Sequence, residues 1–128
     1  MIPRLSIAQV IHIHDHLIEM FGGTQGLRDL GSLDSALSSP FQTFDGKRLY
    51  PDPIFRAAKL CTGIILDHPF LDGNKRTGVM VMLIYLELEG LEVSFSDAEL
   101  VELGMGIAKG SLKKDHLQSK IKNAIIRK

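Results

Sequence analysis

The chain has 128 residues, enough to close one hydrophobic core and too few for two, so residues 1–128 are expected to form a single domain. Fifteen basic residues cancel fifteen acidic ones, which removes the global positive field that a nucleic-acid backbone requires. The 45% apolar and 23% charged content excludes a disordered or low-complexity chain. The charges are segregated all the same: six acids and no base lie between Arg76 and Lys109, and from Lys109 onward seven bases face only Asp115. The lone cysteine, Cys61, excludes an internal disulfide and suits a reducing compartment; its apolar neighbours mark it as a buried small hydrophobe. No signal-like apolar run opens the sequence, and Val79–Leu86 is too short to span a bilayer, so a soluble, cytoplasmic protein without a membrane partner is expected.

In chain order, Ser6 with Gln9 forms a capping box, and Ile7, Val10, Ile11, Leu17, Ile18 and Phe21 repeat at helical spacing until Gly22-Gly23. A short second helix is predicted near Ser32–Ser38, ended by Pro40. The segment from Phe41 to Pro51 is expected to be irregular or extended, with Asp45-Gly46 as a hairpin turn in a flap formed by Phe44, Asp45, Gly46, Lys47, Arg48 and Leu49. Asp52 and Pro53 read as N-cap and first residue of a third helix with apolar positions Ile54, Ala57, Ala58, Cys61, Ile64 and Ile65, ending near Asp67. After the loop His68–Gly73 a fourth helix runs to about Glu89, apolar on every side from Val79 to Leu86 and therefore the core helix. Ser96 with Glu99 opens a short helix toward Gly104, and Ser111 is expected to begin a last helix that turns Leu117, Ile121, Ala124 and Ile125 inward. The fold predicted is an all-α, compact bundle of about six helices with a short extended flap before the third.

The string His68-Pro69-Phe70-Leu71-Asp72-Gly73-Asn74-Lys75-Arg76 joins the two most apolar helices, so packing fixes its ends while its middle faces solvent. Free backbone N–H groups at the start of a helix, with the positive end of the macrodipole, form an anion site, and Gly73 lets a phosphate approach closely. Asn74, Lys75 and Arg76 add donors, Lys75 as a point charge and Arg76 as a bidentate fork. A carboxylate beside phosphate ligands needs an intervening cation, so Asp72 implies Mg²⁺. His68 carries an imidazole, a group that can accept and donate a proton, and is the candidate base for an attacking hydroxyl. Pro69 stiffens the turn, and Phe70 points into the core as its anchor.

The whole string resembles the signature of the Fic/Doc family, His-x-Phe-x-Asp/Glu-Gly/Ala-Asn-Gly/Lys-Arg, with every specified position matched. Gly26-Leu27-Arg28-Asp29, the Leu33–Pro40 stretch, the third helix and the Tyr85–Gly90 helix end are similar to the death-on-curing branch. Adenylyl-transferring members usually carry Gly where Lys75 stands and a second Arg where Val79 stands, so both departures favour that branch. The resemblance implies a toxin of a toxin–antitoxin system, a kinase that presents the γ-phosphate of ATP to a protein Ser or Thr hydroxyl, with elongation factor Tu as target. It implies His68 as base, Lys75 and Arg76 as catalytic phosphate ligands with Gly73 and Asn74, Asp72 as the Mg²⁺ ligand, and the Phe44–Leu49 flap as a hold on the target peptide. No Ser/Thr-x-x-x-Glu-Gly/Asn inhibitory helix is present; the nearest piece begins with Tyr85, so restraint is expected from a separate antitoxin helix. An adenylyl or other nucleotidyl transferase, and a binding module without activity, are the competing readings.

Other signals are read as structural. His12, His16 and Glu19 have a spacing that can ligate zinc, but no metal is expected there. His14 falls on the apolar stripe as a core histidine with one hydrogen-bond partner. The basic tail from Lys109 is read as a solvated helix face, without nucleic acid as partner.

Overall fold

A computed structural model of the chain describes residues 2–127, with side chains to Ile126. Six helices carry the architecture: α1 (Ile7–Phe21), α2 (Leu30–Ser38), α3 (Pro53–Asp67), α4 (Asn74–Leu88), α5 (Asp97–Lys109) and α6 (Lys114–Ala124). Both capping boxes form as the sequence dictates, Ser6 with Gln9 and Ser96 with Glu99, and Asp52 caps α3 ahead of Pro53. Among the described residues no helix is long and apolar enough to cross a membrane.

Helices α3 and α4 are the centre of the molecule. Gly78 of α4 lies so close to α3 that a Cβ there would come 2.8 Å from Ile65 Cγ1 and 3.0 Å from the Cys61 carbonyl, so only glycine permits this approach. Val79, Val81, Met82, Tyr85 and Leu86 of α4 are buried, as are Ala57, Ala58, Leu60, Cys61, Ile64 and Ile65 of α3. Complete burial of a side chain of leucine size contributes about 1.5–3 kcal/mol, so the packing of this pair fixes both ends of the loop between them. Burial also pushes the Cys61 thiol up to about 12, as expected of an inert small hydrophobe.

Several boundaries differ from the sequence reading. Helix α2 starts earlier because Asp29 accepts from the Ser32 N–H and caps it, and Pro40 and Phe41 continue it as one 3-10 turn, Ser39–Phe41. Helix α5 runs through Gly104 and Gly106 and stops only at Gly110, which takes φ +83°. Both internal glycines face close neighbours, Lys75 for Gly104 and Leu112 for Gly106, so packing outweighs their poor helix propensity. The last helix begins at Lys114 rather than Ser111, and Ile125 leaves it for a strand.

The strands are short. β1 (Thr43–Phe44) and β2 (Lys47–Arg48) pair antiparallel about Asp45-Gly46, whose φ values of 53° and 76° are those of a type I′ turn. β3 (Glu92–Val93) pairs antiparallel with β4 (Ile125–Arg127), an unexpected ladder that ties the C-terminal segment to the end of α4. Its signal was the alternation Leu91-Glu92-Val93-Ser94-Phe95, whose apolar members are half-buried and whose polar members are exposed.

Candidate functional site

The loop between α3 and α4 is held from three sides. His68 ends α3 in the left-handed conformation (φ 50°, ψ 56°), which turns the chain sharply and leaves its side chain exposed. Phe70 is buried and stacks face to face on His14 of α1, centroids 3.8 Å apart. His14 Nε2 lies 2.8 Å from the Asp72 carbonyl and its Nδ1 3.0 Å from Asp15 Oδ1, so this core histidine has two partners rather than the one expected. On the opposite side the α1–α2 segment runs alongside as a short ladder. Leu71 N–H donates to the Gly26 carbonyl, and the Arg28 and Asp29 N–H groups both donate to Pro69. The Arg28 guanidinium donates to the carbonyls of Asp67 and His68, closing the C-terminal end of α3.

Asn74, expected to add a side-chain donor to the phosphate cradle, turns its amide inward instead. Its Oδ1 accepts from the Phe70 N–H and its Nδ2 donates to the Phe70 carbonyl, both at 3.0 Å, which staples the loop across its base. The Gly73 N–H is likewise committed, to Asp72 Oδ1 at 2.9 Å. Among the described residues no group accepts from the N–H groups of Asn74, Lys75 and Arg76, so these three form the open amide end of α4. Gly73 precedes them at φ +80°, and a Cβ there would meet Ile18 Cδ1 at 3.0 Å, so the position requires glycine for both conformation and space.

Asp72 is exposed, with Oδ2 accepting from the Thr24 N–H and Oδ1 from Gly73. These backbone bonds, first Thr24 and then Gly73, hold its carboxyl below the usual carboxylate range. They act at full strength above the ordinary titration range and fade only as pH falls through the depressed value, so the carboxylate is ionised at any physiological pH. Each carboxylate oxygen keeps a lone pair beyond the bond it accepts.

Lys75 and Arg76 are exposed and, with Asp72, Gly73 and Asn74, form one end of a cavity of about 540 Å³. Its other walls are apolar: Leu17 and Phe21 of α1, Val79, Met80 and Leu83 of α4, and Leu100, Val101 and Met105 of α5, with Asp97 the further acid. The Arg76 guanidinium lies over the Phe21 ring, 4.4 Å from its centroid, and Phe21 thereby sets where that cation stands. The nine-residue string gives no hint of this chamber, which depends on α1 and α5 converging on α4. Its size suits a small ligand, with charge at one end and apolar walls at the other. His68 is not among its walls; it stands at the far end of the loop, where α3 stops. The flap residues Phe44 to Leu49 form the exposed hairpin, closed at its base by Leu49 N–H donating to the Gln42 carbonyl.

A charged network beneath the hairpin was not anticipated. Arg56, buried in α3, donates to the Tyr50 carbonyl (2.8 Å), the Tyr85 hydroxyl (2.8 Å) and Glu89 Oε2 (2.7 Å), and Tyr85 in turn donates to the same Glu89 oxygen. Burial, reinforced by the Glu89 bond, pushes the Tyr85 phenol up to about 12. Tyr85 and Glu89, the ends of the string that made no inhibitory motif, are thus partners of Arg56: Glu89 neutralises its charge and Tyr85 accepts one of its hydrogen bonds.

These features define a helical domain in which one loop carries an exposed imidazole at its start and the open amide end of a core helix at its close. The sequence pattern described as the Fic/DOC family matches residues 4–86, and the chain belongs to that family. It is 30% identical over 109 residues to the protein kinase doc of Escherichia phage P1, covering 85% of each chain. It is 35% identical over 74 residues to the toxin Doc of Mycolicibacterium smegmatis (strain ATCC 700084 / mc(2)155), a match that spans 58% of this chain and 57% of that relative.

Proposed function

We propose that this protein is a Doc-type toxin that transfers the γ-phosphate of ATP to a Ser or Thr hydroxyl of a translation elongation factor, Tu being the expected target. The observation that carries the reading is the pairing of three free amides, Lys75 and Arg76 at the mouth of an apolar chamber with an exposed histidine at the other end of the same loop. In this reading the amides and both cations bind the polyphosphate, and their charge offsets what develops as the γ-phosphoryl group leaves. The target hydroxyl oxygen forms the new P–O bond, its proton passes to His68, and ADP departs with the electrons of the broken P–O bond. The likeness to a relative named protein kinase doc supports phosphoryl rather than nucleotidyl transfer.

The residues present fit a magnesium ion. Asp72 is an ionised, exposed carboxylate with lone pairs to spare, next to the cations that would hold phosphate oxygens. When bound, Mg²⁺ supplies charge neutralisation across the phosphates. Asp72→Ala is expected to abolish the magnesium dependence of nucleotide binding, read by calorimetry with and without chelator. Unchanged affinity in both conditions removes Asp72 as a ligand.

Restraint by a separate antitoxin helix is part of the same proposal. Phe21, Val101 and Met105 leave an apolar rim exposed around the chamber, a surface that an amphipathic helix would cover while shutting out nucleotide. The decisive experiment incubates the protein with elongation factor Tu and ATP labelled separately at the α and γ positions. Label from the γ position alone is expected on the factor; α-label transfer would show nucleotidylation instead.

A further inference from the structure

A second cavity, of about 390 Å³, lies on the other side of α3. Lys59, Thr62, Gly63, Leu66 and Asp67 form its floor, and their spacing puts them on one stripe of the helix, rising about 12 Å from the first to the last. The stripe ends at Asp67, the residue before His68. Lys113 and Lys114, from the turn into α6, stand along its side. At the Lys59 end the groove meets the base of the hairpin. Tyr50 and Phe55 stack with centroids 4.9 Å apart, the Lys59 ammonium lies 5.0 Å over Tyr50, and the Lys114 ammonium lies 5.5 Å over Phe55.

Lys59, Lys113 and Lys114, together with Lys47 and Arg48 of the hairpin, form no ion pair among the described residues. The carboxylates nearby are few: Asp67 on the floor, Asp52 engaged in capping α3, Asp45 at the hairpin tip and Asp115 in the first turn of α6. Two lysines at an α6 N-terminus without a side-chain cap add to the positive end of that helix's dipole instead of offsetting it. Within the groove's own lining, Lys59, Lys113 and Lys114 thus outnumber the single carboxylate of Asp67.

We propose that this groove docks an acidic segment of the protein that is modified, and so leads the acceptor hydroxyl along α3 to His68. The inference rests on the functional reading above for the identity of its partner as substrate. A peptide suits the groove better than a nucleic acid. Each face of the Tyr50–Phe55 pair is taken, by the other ring or by a lysine, so none is free for a base to stack on. About four extended residues span the stripe, and carboxylates on such a segment can reach all three lysines.

The test uses the intact protein and fluorescence anisotropy without ATP, so that docking is read apart from transfer. The probes are a fluorescein-labelled peptide with a run of glutamates ahead of a serine, the same peptide with glutamines, and a single-stranded RNA. The acidic peptide is expected to bind, to weaken with added salt, and to lose about tenfold in affinity in the triple variant Lys59→Gln, Lys113→Gln, Lys114→Gln, because exposed charge contacts are individually small and add up. Nucleotide affinity of that variant is expected to be unchanged. Lys113→Gln alone, at an exposed position, provides the same reading at about twofold should the triple variant fail to fold. Equal binding by parent and variants, equal binding of the glutamine peptide, or tighter binding of RNA would overturn the proposal. Acidic-peptide binding that persists while no γ-label reaches any protein would overturn the kinase reading and leave the groove.

Discussion

Replacing His68 by asparagine should cut phosphoryl transfer by about 10²–10⁴-fold, the range attributable to a positioned general base, while nucleotide affinity and thermal midpoint stay close to the parent's. Asparagine is the instructive choice because His68 sits at φ 50°, a region that asparagine tolerates better than other substitutes, so lost activity reports the missing imidazole rather than backbone strain. The exposed side chain forms no hydrogen bond among the described residues, and its removal leaves no buried group without a partner. Growth inhibition on expression and single-turnover transfer should fall together. A His68→Asn protein as toxic and as active as the parent would show that the toxicity and the transfer do not depend on this imidazole.

The largest stability loss is expected far from that loop. Arg56→Met should cost about 3–5 kcal/mol, because Glu89, 15% exposed, keeps its charge after losing the guanidinium that neutralises it. Tyr85 and the Tyr50 carbonyl lose a donor in the same step. Urea denaturation would show the effect as a lower midpoint with an unchanged slope. Adding Glu89→Gln should recover part of it, since the stranded charge is then gone. Hydrogen exchange supplies a second reading: the Leu49 amide, which closes the hairpin, should lose protection in the single variant because Tyr50 is no longer anchored to α3. A single variant as stable as the parent would mean that water or another side chain replaces Arg56.

Much of the architecture was legible because local rules and tertiary packing agree. Ser6 with Gln9, Asp52 with Pro53, and Asp45-Gly46 each specify their cap or turn through atoms a few residues apart, and each is present in the structure. Most of the apolar band of α4 is likewise interior, with Met80, Leu83 and Ile84 only half-buried. What escaped depends on distant partners. Nothing near Asn74 announces that its amide clamps Phe70, and nothing near Phe21 announces Arg76, because the α1–α4 packing that joins them is set by the whole core. Arg56 was hidden for a related reason. An arginine among alanines and isoleucines reads as a solvent-facing position until Tyr85 and Glu89, a full helix away, supply the bonds that let it be buried.

The short ladder between the Gly26–Asp29 segment and Pro69–Leu71 has a genetic corollary. Three backbone amide links join the two, and the Arg28 guanidinium adds two more to the carbonyls of Asp67 and His68 just before, so the geometry of the imidazole is written partly forty residues upstream. A screen for harmless alleles would accordingly return lesions at Gly26 and Arg28 alongside those in the signature string, and a survey of such genes that checked the string alone would score dead copies as intact.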